Sequence, residues 1–163
     1  MYKIEDYVVY KKNVCKITDI KKNHLNNEDY YIMIPINDSS LKINVPISNR
    51  CIRDVISKEK VLDLIREIPN INIIENNEKT IEQEYKNLMS SGKHEDLIKI
   101  IKTAYFRNNE KINKKKKLSE KDNYYFNQAE IYLYTEFAVA LNLDFEKTKK
   151  FIIEEVTKNA NNW

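Results

Sequence analysis

The sequence predicts an α+β protein of two domains: a small SH3-like β-barrel over residues 1–55, then a compact five-helix domain over residues 56–163. Three observations lead there. Short apolar strand-like runs separated by turn chemistry fill the first fifty or so positions, the last of them alternating with a period of two, and a helical period takes over after Val55. One Gly and three Pro among 163 residues, with long charged amphipathic stretches, make a helix-rich composition. Hydrophobic residues are 42% and charged residues 33%, which suits a chain able to bury a core and not a disordered one.

Within the β part, DYVVY is a first short strand and VCKITDI a second, entered through a Lys-Lys-Asn turn. HLNNED has the chemistry of a polar loop, DYYIMIPI is a third strand, and NDSS is a tight turn. LKINVPI is a fourth strand, in which Leu41, Ile43, Val45 and Ile47 alternate with Lys42, Asn44 and Pro46. Pro35 and Pro46 lack an N–H, so they belong at strand ends, edges or bulges. Short strands with tight turns over this length form a strongly bent antiparallel sheet or a small barrel.

The helical part opens at SKEKVLDLIREIP, with Ser57 as N-cap, Val61, Leu62, Leu64, Ile65 and Ile68 on one face, and Pro69 past the end. NINIIENN is an irregular connector. A second helix spans about 80–90 and closes at Gly92 as a left-handed cap. A third starts at His94, Glu95 and Asp96, two of them acids that suit a helix N-terminus, and carries Leu97, Ile98, Ile100, Ile101, Ala104 and Tyr105. The run KINKKKK follows, with five lysines in seven residues, and LSEKD then supplies Ser119 and Asp122 as a variant capping box. The helix behind it, about 120–141, has one stripe of Phe126, Ala129, Leu133, Phe137 and Ala140 and a second of Tyr125, Tyr132 and Val139. Two apolar faces place it among other helices. A last helix, about 145–158, presents Phe145, Thr148, Ile152 and Val156.

The composition narrows function. Net charge is +3, and residues 1–55 hold 9 basic and 7 acidic side chains, so neither part is a strongly basic module. Asn, Lys and Ile are abundant, the habit of an AT-rich genome, which lowers the weight of each lysine. The arginines Arg50, Arg53, Arg66 and Arg107 are scattered, against an arginine-based reader of base edges. Cys15 and Cys51 lack Cys-x-x-Cys spacing and sit in apolar, strand-like contexts, where buried free thiols are expected. No signal-like region and no membrane-length apolar run is present, so a soluble, cytoplasmic protein is expected.

Catalytic patterns are missing from the sequence. His24, read as a loop residue, and His94 have no companions at metal-ligand spacing, and the carboxylate pairs Glu82/Glu84 and Glu154/Glu155 fall on solvated helix faces. A single Gly rules out a glycine-rich phosphate cradle. The expectation is a binding protein: no enzyme, no cofactor, no metal and no small-molecule substrate. The eleven tyrosines read as core or core-rim residues before they read as base-stacking platforms.

Several segments, in order, resemble the CarD/CdnL family of bacterial transcription regulators: KIEDYVVY, LKINVPISN, CIRDVISKEKVLDLIREI, SSGKHEDLIKIIKTAYFRN and LSEKDNYYFNQAEIYLYTEFAVALN. The resemblance covers nearly the whole chain and rests on order and spacing. It implies a Tudor-like N-terminal domain that docks on the RNA polymerase β subunit, and a helical domain that contacts promoter DNA at the upstream edge of the transcription bubble. A factor that binds the open complex better than the closed one shifts that equilibrium by its differential affinity. Carried onto this sequence, the docking edge comprises Lys21, Lys22, Asn23, Lys42 and Asn44, and the DNA-facing surface comprises Glu78, Lys79, Tyr85 and Lys86, with Lys114, Lys115 and Lys116 adding attraction toward phosphate. The family position that wedges a Trp into the minor groove falls near Glu78, and ENNEKTIEQEYKN contains no Trp; the only one is Trp163. Polymerase-gripping arginines of the family fall at Asn44 and around Asn23, which leaves backbone pairing along a barrel edge as the docking mode. The alternative is a protein–protein adaptor that docks on polymerase or a similar partner without touching DNA.

Overall fold

The computed structural model describes residues 1–75 and 78–161, with side chains described as far as Lys158, so Trp163 lies outside the described residues. The chain divides into two compact units, Met1–Ser57 and Lys58–Trp163. The first is a five-stranded antiparallel sheet and the second carries five α-helices, an α+β architecture.

The strands are β1 (Tyr7–Tyr10), β2 (Asn13–Leu25), β3 (Glu28–Pro35), β4 (Ile43–Pro46) and β5 (Ile52–Asp54), in the spatial order β4-β3-β2-β1-β5. Strand register sets the faces. Val8, Cys15, Ile17, Tyr31, Met33 and Val45 point to one side and form the buried apolar cluster of the unit. Register brings them together: Val8 faces Cys15, Ile17 faces Met33, and Tyr31 faces Val45. Pro35 and Pro46 stand at the last positions of β3 and β4, where their missing N–H is tolerated. The leader is tied down as well. Glu5 N donates to Ile17 O, and Tyr2 Oη donates to Asp54 Oδ1 at 2.7 Å. Burial and that carboxylate push the Tyr2 phenol up to about 12.

The β1–β2 and β2–β3 hairpins each turn on two residues with positive φ. Lys11 (47°) and Lys12 (74°) join β1 to β2, and Asn26 (52°) and Asn27 (61°) join β2 to β3. Two consecutive positive φ values make a type I′ turn, whose twist matches the flanking strands. HLNNED is therefore mostly strand around a tight turn, and His24 lies on β2 and not in a loop. The strand β5 has no counterpart in the sequence pattern, because IRD is three residues long and offers no alternation; its strand state comes from pairing with Val8, Val9 and Tyr10. LKINVPI contributes only its middle four residues. Cys15 is buried as expected, but Cys51 is exposed, because it sits in the turn before β5 with its N–H donated to Asn49 Oδ1.

The helices are α1 (Lys58–Glu67), α2 (Ile81–Ser91), α3 (His94–Asn113), α4 (Glu120–Leu141) and α5 (Phe145–Asn161), with one 3-10 turn at Ile68–Asn70 that includes Pro69. Gly92 closes α2 at φ 66°. Ser119 caps α4, its Oγ accepting from Asp122 N. Asp144, which the sequence pattern did not mark, starts α5 by accepting from Lys147 N at 2.7 Å. α4 is the central helix and packs on the other four, which explains its apolar breadth. Its Ala129, Leu133 and Phe137 are fully enclosed, together with Ile100 and Ala104 of α3 and Val61 and Ile65 of α1.

Candidate docking and nucleic-acid-facing surfaces

The five residues expected at the docking edge include exposed lysines on both sides of β3, and register decides which of them share a face. Ile20 pairs with Tyr31, which pairs with core residue Val45, so Lys21 with its partner Tyr30 lies on the other face. Asn44, opposite Ile32, lies on that same outer face. Lys21 and Asn44 are thus separated by the width of β3, roughly 10 Å between their strands. Lys42 immediately precedes β4. Lys22 and Asn23 act locally, because both bind Asp29 within the irregularity between Lys21 and Leu25. Lys22 Nζ reaches Asp29 Oδ2 at 3.0 Å and Asn23 N donates to Asp29 Oδ1 at 3.0 Å. The Asn23 N–H and then the Lys22 cation hold the Asp29 carboxyl below its ordinary range. Asn23 adopts φ 49°, a conformation Asn tolerates better than most residues.

Of the four residues expected on the DNA-facing surface, Glu78, Lys79 and Lys86 are exposed and Tyr85 is not. Tyr85 is fully buried, so it cannot offer its ring to a base or phosphate. Ile81 and Tyr85, one turn apart, make the inward stripe of α2, and the Tyr85 hydroxyl donates to Asp122 Oδ1 at 2.7 Å. Burial and then the Asp122 charge push that phenol well above its usual range. Glu78 is largely exposed, and its Oε1 accepts from Arg107 Nη2 at 2.6 Å, so its carboxylate is held in an ion pair. Lys86 remains exposed but lies 3.8 Å from Glu82 one turn earlier, the favourable order for such a pair. Lys79 is exposed too. With Glu78, Glu82 and Glu84 beside Lys79 and Lys86, this segment is not a basic strip.

Arg107 and Asp122 are the polar residues that sequence reasoning missed as a pair. Arg107 is 3% exposed and Asp122 0%. Arg107 Nε donates to Asp122 Oδ1 and Oδ2 at 3.0 and 3.2 Å, and Lys111 Nζ approaches Oδ2 at 3.5 Å. One carboxylate therefore ties α2, α3 and α4 together. Asp122 completes only half of a capping box, donating its N–H to Ser119 Oγ while its side chain turns inward. The signal was present: Ile100, Ala104, Arg107 and Lys111 follow one helical stripe, so a charged side chain there needs a buried partner.

The lysine run begins inside α3, which extends to Asn113. Lys115 takes φ 54°, Lys115 N donates to Ile112 O and Lys116 N to Lys111 O. These two bonds are a Schellman turn, with a lysine at the position glycine usually fills. Lys114, Lys115 and Lys116 are exposed cations at a helix C-terminus, which favours positive charge.

Two further polar pairs line α4. His94 Nε2 lies 2.9 Å from Glu136 Oε1, and Lys149 Nζ lies 3.5 Å from Glu130 Oε1. Burial raises the Glu130 carboxyl above its ordinary range, while Lys149 opposes the rise. Among the described residues no group of three His, Cys, Asp or Glu is placed to hold a metal, and no helix is long and apolar enough to cross a membrane. No family model matches the chain, and no curated protein matches it.

Proposed function

We propose that the chain is a CarD-like, non-enzymatic transcription regulator that docks a Tudor-like β unit on the RNA polymerase β subunit, in the cytoplasm, and acts on the persistence of the open promoter complex. The observation that carries the reading is β4. It is an end strand in the sheet order, anchored inward by Val45, with Asn44 and Lys21 on the outer face and Lys42 beside it. An end strand presents backbone N–H and C=O groups to an incoming strand, a docking mode that tolerates the loss of family arginines. The ordered resemblance along the chain supplies the identity of the partner. A pulldown with the isolated polymerase β subunit tests it. Binding at micromolar concentration that weakens in the Lys21→Glu, Lys42→Glu double variant supports the reading, and no binding at that concentration removes it.

A second reading, an adaptor that docks without touching DNA, is favoured by one observation: Tyr85 is buried and Glu78 is paired with Arg107 where the family wedge would stand. Promoter–polymerase affinity measured with and without the protein across a salt series separates the two. A DNA-touching factor steepens the salt dependence through its lysines, Lys114 to Lys116 foremost, whereas an adaptor leaves the slope unchanged.

A further inference from the structure

The helical unit contains a cavity of about 530 Å³ between α3, α4 and α5, in the unit that does not carry the proposed docking edge. Ile98, Ile101, Leu133, Phe137, Ile152 and Val156 make its walls, and Tyr105 and Ile153 stand at its exposed rim. Its size falls within the range of about 300–1,000 Å³ typical of small-ligand sites. Such a site needs a few polar groups to orient what it binds. Here they are Glu130 and Tyr134, one turn apart on α4, and Lys149 across from them on α5.

Glu130 sets the chemistry. It is 7% exposed, yet its hydrogen bond is the 3.5 Å contact from Lys149, whose side chain is 39% exposed. A carboxylate so enclosed is poorly compensated by one long bond to a side chain that is free to swing into water. The other cation lining the cavity, Lys102, is engaged elsewhere, donating to Ile68 O and Ile71 O at 2.6 Å each. The lining therefore offers an acceptor, not a spare cation. We propose that this cavity binds a small ligand with an apolar body and a cationic, hydrogen-bond-donating head that ion-pairs with Glu130. The ammonium takes the place of Lys149 at the carboxylate, and the body replaces water against the aliphatic and aromatic walls. This binding is independent of docking on polymerase and is measurable on the chain alone.

The test is calorimetric titration of the full chain with 4-phenylbutylamine, 4-phenylbutanol and 4-phenylbutyrate, matched bodies with different heads, at about pH 8, where amine and carboxylates are charged. The amine is expected to bind saturably with one site and about tenfold or more tighter than the other two. Glu130→Gln should erase that preference and leave the alcohol unaffected. Lys149→Ala, at a half-exposed position, should tighten the amine by removing its competitor. Ile153→Trp at the rim should block all three. The proposal is overturned by an absence of saturable binding, by a carboxylate that binds as tightly as the amine, or by a preference that survives Glu130→Gln. It is equally overturned if sedimentation shows a dimer that Ile153→Trp dissociates, because the occupant is then a second copy of the chain.

Discussion

The β unit and the helical unit solve burial in opposite ways. In the first, the enclosed cluster is Val8, Cys15, Ile17, Tyr31, Met33 and Val45, without a charged member. In the second, Arg107, Asp122, Glu130 and Glu136 are all buried within the helix packing. A sheet face obtains its specificity from register, because a slip of one residue would expose every core side chain at once. Helices slide and rotate against one another at smaller cost. A buried charge satisfied in only one arrangement, as Asp122 is by Tyr85 and Arg107, fixes where α2, α3 and α4 meet. The difference lies in how each unit tolerates change.

The largest effect should come from breaking the charged centre. Arg107→Ala breaks the buried ion pair, leaving Asp122 with the Tyr85 hydroxyl and the more distant Lys111, and should destabilise the helical unit by about 3–5 kcal/mol, read by urea unfolding followed by circular dichroism. In the β unit, the volume-conserving Met33→Leu should cost less than about 1.5 kcal/mol. Equal losses for the two would erase the contrast. Removing one hydroxyl is gentler: Tyr85→Phe deletes a single donor to Asp122 and should cost about 1.5–3 kcal/mol in the same assay.

The turns sharpen the comparison from the other side. Lys11 and Lys12 occupy a type I′ turn that Asn-Gly would fill without strain, so Lys11→Asn with Lys12→Gly should raise the stability of the β unit by about 1–2 kcal/mol. A smaller signature is the pH dependence of Glu130. Its folded pKa is raised, so the folded state holds the proton longer than the unfolded chain does. Stability contributed by the protonated form is present at low pH and lost as pH rises from the ordinary carboxylate value through the raised one. Relative to wild type, Glu130→Gln should gain stability with rising pH across that window, and a flat difference would count against the burial of the carboxylate. Smallest of all in free energy is the thiol contrast. Burial pushes the Cys15 thiol up to about 11, whereas Cys51 is exposed, so a maleimide should label Cys51 alone in the native protein.

Much of this architecture is legible in the chain itself. The switch of period after Val55, the Gly92 cap, the Ser119 cap and the start and end of α4 all follow from local chemistry that a single chain carries in order. The alternation in LKINVPI likewise marks Val45 as inward and Asn44 as outward. Three features were decided by packing alone. β5 is a strand only because β1 lies beside it. Tyr85 faces inward because the carboxylate it bonds to arrives from residue 122. The Glu130 cavity exists because α3, α4 and α5 leave space between their apolar faces. Caps, turns and periodicity act over a few residues, so sequence determines them. Partnerships between side chains thirty or more positions apart, such as Tyr85 with Asp122, depend on which faces meet, and only the tertiary structure decides that.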